Sequence, residues 1–188
     1  MRFSALILAG GKSRRMGRDK ARLELAGRPM LVRQIELARQ AGAGEVFVSG
    51  RADADYSAFG CAVLHDLYLG AGPLAGVERG LAAATAPLLL VLAVDLPRMT
   101  VDFLQRLLQE CRAETGVVPE MRRRLEPLAA IYPGRARALA RERLRAGKNG
   151  MQDFAAAVEH AGGLRRHPVT RAEEELFFNW NSPEPGDS

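Results

Sequence analysis

Residues 8 to 20 read LAGGKSRRMGRDK, with three glycines and five cationic side chains. Gly10 and Gly11 leave the backbone open to close approach, so that its N–H groups can face phosphate oxygens. Lys12, Arg14, Arg15, Arg18 and Lys20 supply positive charge around them. Only three of the 27 basic residues are lysine, and two of those, Lys12 and Lys20, lie in this stretch. A compact ammonium rather than a guanidinium fork suits a phosphate point charge there. The competing reading is a solvated basic loop, the common fate of a charge run. Two known phosphate motifs test the stretch. A Walker A loop needs a glycine at position 6, which is Leu6, so that reading fails. The sequence GAGPLA at 70–75 loosely matches a dinucleotide fingerprint, but LYL separates it from the preceding strand and a proline interrupts it.

Two carboxylates stand at informative places. Asp95 ends the apolar run LLLVLAV, at a strand tip where a ligand can bind, and also fits a helix N-cap or a turn residue before Pro97. Asp66 follows CAVLH and fits a ligand contact or a turn. Asn179 and Asn181 alternate and can face one side together, or cap the tail before Ser182 and Pro183. Arg122, Arg123 and Arg124 fit a solvated hairpin or an acceptor-phosphate contact, and Trp180 fits packing or stacking. The three histidines, His65, His160 and His167, are scattered and form no Ser-His-Asp pattern.

These groups need elements to hold them. FSALILA (3–9), GEVFVSG (44–50), CAVLHD (61–66) and LLLVLAVDLP (88–97) read as strands, and LEPLAAIYP (125–133) as a strand or hairpin arm. PMLVRQIELARQA (29–41) and GPLAGVERGLAAAT (72–85) read as helices opened by proline. TVDFLQRLLQECRA (100–113) carries a Thr cap and an acidic first turn, and RARALARERLRA (135–146) and MQDFAAAVEHA (151–161) are further helices. Alternating strands and helices predict an α/β fold in three layers, a mainly parallel sheet flanked by helices. Ligands then bind beyond the carboxyl ends of the strands, where the basic loop and Asp95 both fall. One domain over 1–181 and a frayed tail at 182–188 are expected, with no repeat or linker.

The totals bound the remaining classes. With 188 residues, 47% hydrophobic and 26% charged, the chain has ordinary globular composition. A net charge of +5 favours anionic partners. Cys61 and Cys111 make neither a disulfide framework nor a zinc site and read as buried thiols. The start MRFSALILAGG lacks the pattern of a secretory signal, and no apolar run reaches the length of a membrane span. A cytoplasmic protein without membrane association is expected. Nucleic acid is disfavoured, because the cations are not interleaved with aromatics and no recognition module is visible.

The opening stretch taken whole resembles the signature L-A-G-G-x-S-x-R-M-G-x-D-K of nucleotidyltransferases that handle molybdenum cofactor, sugar phosphates and isoprenoid alcohols. GPLAG (72–76), AVDLP (93–97) and FFNWNSPE (177–184) resemble further motifs, and together they are most similar to the molybdenum cofactor guanylyltransferase family. The resemblance implies a Rossmann-like nucleotidyltransferase fold. It implies backbone contacts to GTP from Leu8, Ala9, Gly10 and Gly11, and a phosphate contact from Lys20. Arg15 is implied as a further triphosphate contact, Asp66 as a nucleotide contact, and Asp95 as holder of Mg2+ and nucleotide. Asn179 and Asn181 match the closing motif, with Ser182 in place of its threonine, and are assigned to molybdopterin. One departure is visible: an Asn that the family often carries after the second strand is absent from VSGRAD, where Gly50 and Arg51 stand. Guanine rather than cytosine follows from L-A-G-G where cytidylyltransferase relatives tend to read L-A-A-G.

The implied reaction joins GMP from GTP to the terminal phosphate of molybdopterin and releases pyrophosphate. Its difficulty is electrostatic, because two anions must meet, so positioning and charge neutralisation carry the rate. Transient contact with molybdoenzymes or other cofactor-synthesis proteins is compatible with that role. The alternatives are a relative using CTP or another phosphorylated acceptor, and a non-catalytic carrier of finished cofactor. A pure carrier would not need Lys20 and Asp95 together.

Overall fold

The computed structural model describes residues 1–9, 23–50, 56 and 59–180. The chain order opens with β1 (Phe3–Leu8), a small hairpin of β2 (Glu24–Leu25) and β3 (Arg28–Pro29), then α1 (Met30–Gln40) and β4 (Glu45–Ser49). It continues through β5 (Ala62–Leu64), α2 (Pro73–Ala83), β6 (Leu88–Ala93) and α3 (Val101–Glu110). A hairpin of β7 (Gly116–Met121) and β8 (Arg124–Leu125) precedes β9 (Ala129–Pro133). Helices α4 (Ala136–Arg145) and α5 (Met151–His160), strand β10 (Leu164–Pro168) and a short 3-10 turn, Glu174–Phe177, complete it.

The main sheet runs β10-β7-β9-β6-β1-β4-β5, with β8 on β7. The strands β5, β4, β1 and β6 are mutually parallel, and along the main path β9 alone reverses, between β6 and β7. Every residue of β1 and β6 is buried, because helices cover both faces, which is why these strands read as unbroken apolar runs. Alternation divides the core. Phe3, Ala5 and Ile7 join α1 and α3 on one face. Leu6 and Leu8 join α2, α4 and α5 on the other. Three layers follow, as expected from the sequence.

Local signals decide several ends. Thr100 caps α3, its hydroxyl accepting the Phe103 N–H at 3.3 Å. Pro73 occupies the first turn of α2. Pro29 belongs to β3 with an extended ψ of 136° and only precedes α1, one step short of the helical position its residue type suggested. Arg122 and Arg123 turn the β7–β8 hairpin with φ of 49° and 65°, the left-handed pair a two-residue connection demands.

Candidate active site

The carboxyl edge of the parallel strands is built from one row. Leu8 lies opposite Ser49 on β4 and opposite Ala93 on β6, and Ser49 lies opposite Leu64 on β5. Backbone bonds lock the row where the strands end. The Ala9 N–H donates to the Ser49 carbonyl at 2.8 Å, and the Val94 N–H donates to the Leu8 carbonyl at 3.1 Å. The expected nucleotide contacts Leu8 and Ala9 therefore sit between the two strands that deliver Asp66 and Asp95. Gly10, Gly11, Lys12, Arg14, Arg15, Arg18, Lys20, Arg51 and Asn181 lie outside the described residues.

Asp66 is half-buried, and its Oδ1 is 3.4 Å from the Ser49 hydroxyl, which donates to it. Burial pushes the Asp66 carboxyl above its ordinary pKa, while the Ser49 hydroxyl, Arg79 and His65 pull the other way. Ser49 is itself only 5% exposed, because α2 lies directly against it. That approach requires Gly76: a Cβ there would meet the Ser49 Oγ at 2.4 Å and a Leu8 methyl at 3.0 Å. The final glycine of GPLAG thus seats the helix against the ends of β1 and β4. Gly72 precedes Pro73 with φ 72° and ψ −158°, a conformation that favours glycine, and turns the chain into α2. Among the described residues no side chain caps this helix and its first turn carries no acidic residue, so they leave its positive end and first N–H groups unmet.

Asp95 lies in the turn after β6, half-buried. Its carbonyl accepts the Trp180 N–H at 2.9 Å, which ties the C-terminal segment to this turn. Trp180 is 7% exposed and joins the core beside α3, so packing is its role here. The anchor brings neighbouring Asn179 to a cavity of about 440 Å³. Ala93 and Leu96, either side of Asp95, line that cavity with Pro73 of α2. Glu126 and Asn149 line its far wall.

Gly50 has no room for a side chain. A Cβ at this position would lie 2.1 Å from the Tyr56 ring, which is buried over it. The ring occupies the space that any side chain at position 50 would take.

Magnesium is the metal the motif resemblance implies. Asp95 offers a hard carboxylate oxygen, and among the described residues no group of three or more His, Cys, Asp or Glu could hold a metal. One carboxylate is a fitting donor set for Mg2+ that arrives on a triphosphate, since this ion keeps most of its water and phosphate ligands. Ser49 and Glu126 escaped the sequence reading. Gly76 lay within GPLAG, whereas Ser49 and Glu126 carried no spacing signal.

Comparison with known proteins identifies the family. Residues 5–163 match the model of the MobA-like NTP transferase domain. A relative from Opitutus terrae, named "Probable molybdenum cofactor guanylyltransferase", is 44% identical over 98% of this chain and 93% of its own length. The molybdenum cofactor guanylyltransferase of Xanthomonas euvesicatoria pv. vesicatoria is 34% identical over 97% of this chain and 91% of its own. Among solved structures, molybdopterin-guanine dinucleotide biosynthesis protein A from Archaeoglobus fulgidus superposes with a TM-score of 0.75 at 22% identity, covering 96% of this chain and 93% of that one. A 2-C-methyl-D-erythritol 4-phosphate cytidylyltransferase from Thermus thermophilus gives 0.73 at 24% identity, over 97% and 94%. These two establish the shared nucleotidyltransferase fold. With a family model spanning most of the chain and relatives aligned over nearly all of it, the chain belongs to the MobA-like NTP transferase family.

Proposed function

We propose that this chain is a Mg2+-dependent guanylyltransferase that moves GMP from GTP to the terminal phosphate of molybdopterin. The observation that carries the reading is the single row ending β5, β4, β1 and β6, which sets Leu8, Ala9, Asp66 and Asp95 along one edge. The relatives' names supply the substrate pair.

An oxygen of the acceptor's terminal phosphate attacks the α-phosphorus of GTP. The bond from that phosphorus to the bridging oxygen of the β-phosphate breaks, pyrophosphate leaves, and a new phosphoanhydride joins GMP to the acceptor. The phosphate nucleophile is already ionised at neutral pH, so no general base is required. Mg2+, when bound, neutralises charge on the triphosphate, and Asp95 would hold it. The backbone at Leu8 and Ala9 orients the nucleotide, and Asp66, steadied by Ser49, contacts it. Gly10, Gly11, Arg15 and Lys20 are assigned to the triphosphate, with Lys20 and Arg15 meeting the charge that gathers on the leaving group. Asn179 and Asn181 are assigned to the acceptor. The domain extends over 1–181. No helix among the described residues is long and apolar enough to cross a membrane.

Thermal shift with GTP, CTP, ATP and UTP in the presence of Mg2+ tests the nucleotide side, and conversion of molybdopterin to its guanine dinucleotide tests the transfer. A stabilisation selective for GTP, with product formed, supports the reading. An equal response to all four removes the base assignment, and GTP binding without product leaves the carrier alternative.

A further inference from the structure

The cavity of about 440 Å³ lies on the β9 side of β6, opposite the side on which β1, β4 and β5 present the nucleotide contacts. Glu126 lines it from a turn pinned on every side. Its N–H donates to the Pro119 carbonyl at 2.8 Å, and its own carbonyl accepts the Ala129 N–H at 3.1 Å. The next carbonyl, that of Pro127, accepts the hydroxyl of buried Tyr132 at 2.9 Å. Gln152, in the first turn of α5, donates to the Leu125 carbonyl at 2.6 Å and fixes the facing wall. The Glu126 carboxylate is half-buried, and among the described residues no hydrogen bond or ion pair holds it. Across the cavity wall, Asn149 carries a buried amide oxygen that likewise meets no hydrogen-bond partner. A carboxylate acceptor on an anchored turn and an unpaired buried amide oxygen line one half-open cavity.

A half-buried carboxylate keeps part of its hydration, and a ligand that displaces that water must supply donors in its place. Burial pushes the Glu126 carboxyl above its ordinary pKa, with Arg124 pulling the other way. The complement of a carboxylate's two oxygens is a pair of parallel N–H donors. A ring N–H beside an exocyclic amino group, the amidine edge of a 2-amino-4-oxopyrimidine ring, presents such a pair. Both guanine and a pterin carry it. The guanine end of the nucleotide is assigned to the β1–β4–β5 side, so the ring that reaches Glu126 belongs to the acceptor. We propose that Glu126 is the specificity residue of the acceptor site, taking two hydrogen bonds from the amidine edge of a pterin bound in this cavity. This rests on the reading of the chain as a transferase to molybdopterin.

The test titrates the full chain with pterin and with lumazine, which differ only in an amino group against an oxo group at ring position 2. Intrinsic pteridine fluorescence gives the readout, and Mg2+–GTP thermal shift is followed in parallel. The wild type should bind pterin at least about tenfold tighter than lumazine, because a carboxylate meets a carbonyl in the latter. In Glu126→Gln that preference should collapse or reverse, since an amide offers one donor and one acceptor, with the response to GTP unchanged. Glu126→Ala should weaken pterin by a similar factor; Glu126→Gln carries the test should the alanine variant fail to fold. Absence of pterin binding by the wild type, or a pterin preference untouched in Glu126→Gln, overturns the proposal. Loss of the GTP response alone overturns it too and puts guanine at Glu126. Failure of the transferase reading looks different: pterin preference governed by Glu126, but no guanine dinucleotide formed by the wild type.

Discussion

Asp66 and Asp95 each stand two residues beyond the same row, Leu64–Ser49–Leu8–Ala93, which crosses four parallel strands. Three strand spacings, about 14 Å, separate the ends of β5 and β6 that carry them. Leu8 and Ala9 lie between. An elongated anionic ligand laid along this edge meets one carboxylate near each end and main chain in the middle. That disposition suits a nucleotide whose metal-bound phosphates lie at one end and whose nucleoside lies at the other.

Removing the Ser49 hydroxyl leaves half-buried Asp66 without its donor. Ser49→Ala should weaken GTP binding by about 10-fold, the scale of one hydrogen bond to a charged group. Calorimetric titration checks this, with acceptor KM unchanged as the internal control. Stability should shift little, because the methyl stays packed under α2.

Gly76→Ala gains helix propensity of about 1 kcal/mol but drives a methyl to within 2.4 Å of the Ser49 Oγ. Overpacking of this kind costs about 1–3 kcal/mol, so the steric term wins and the variant should unfold at lower urea concentration. Adding Ser49→Ala removes the nearest atom and should restore part of the loss, a coupling that a double-mutant cycle in urea reads directly.

Gly50→Asn puts into VSGRAD the residue type that the motif resemblance leads one to expect at Gly50 or Arg51. It should nonetheless destabilise the chain, because its Cβ would overlap the Tyr56 ring at 2.1 Å. A gain in GTP affinity without loss of stability would show that Tyr56 is not a fixed lid over this position.

Glu45 gives a pH signature remote from the site. The Ser4 hydroxyl at 2.6 Å and the Thr85 N–H and hydroxyl, each at 3.0 Å, hold its carboxyl below the ordinary range. A carboxyl with a depressed folded-state pKa adds stability that is present above the unfolded value and lost as pH falls through the folded one. Urea midpoints should therefore decline on acidification through the ordinary carboxylate range and below it. Glu45→Gln should flatten that part of the profile while GTP binding at neutral pH stays unchanged.

The residues that make the fold legible are those whose local and global preferences agree. Phe3–Leu8 and Leu88–Ala93 are apolar throughout because both sheet faces are covered, and Thr100 and Pro73 sit where helix starts want them. Strand β7 was hidden by Pro119, which stands opposite His167 in the β10 ladder and beyond the one β9 pairing at Val117–Ile131. Strand β10, LRRHP, was hidden by its charge. It is an edge strand, and Arg166 lies across it to Glu120 at 2.7 Å and Glu159 at 2.6 Å. The reversal of β9 was legible only as one of two options, a strand or a hairpin arm, since direction depends on the connection and not on composition. At the site, Asp66 and Asp95 were visible as carboxylates ending apolar runs. Ser49 and Glu126 were not, because only tertiary contact sets one beside Asp66 and the other on a cavity wall.

The central claim is that Asp95 and the glycine- and lysine-bearing stretch after β1 serve one nucleotide. Calorimetric titration of Mg2+–GTP into the wild type, Asp95→Ala, Lys20→Ala and the double variant tests it most directly. Each single variant should lose at least about 100-fold in affinity, and the double variant should lose much less than the sum, as expected of groups acting on one ligand. Wild-type affinity in Asp95→Ala, or strictly additive losses in the double variant, would contradict the account.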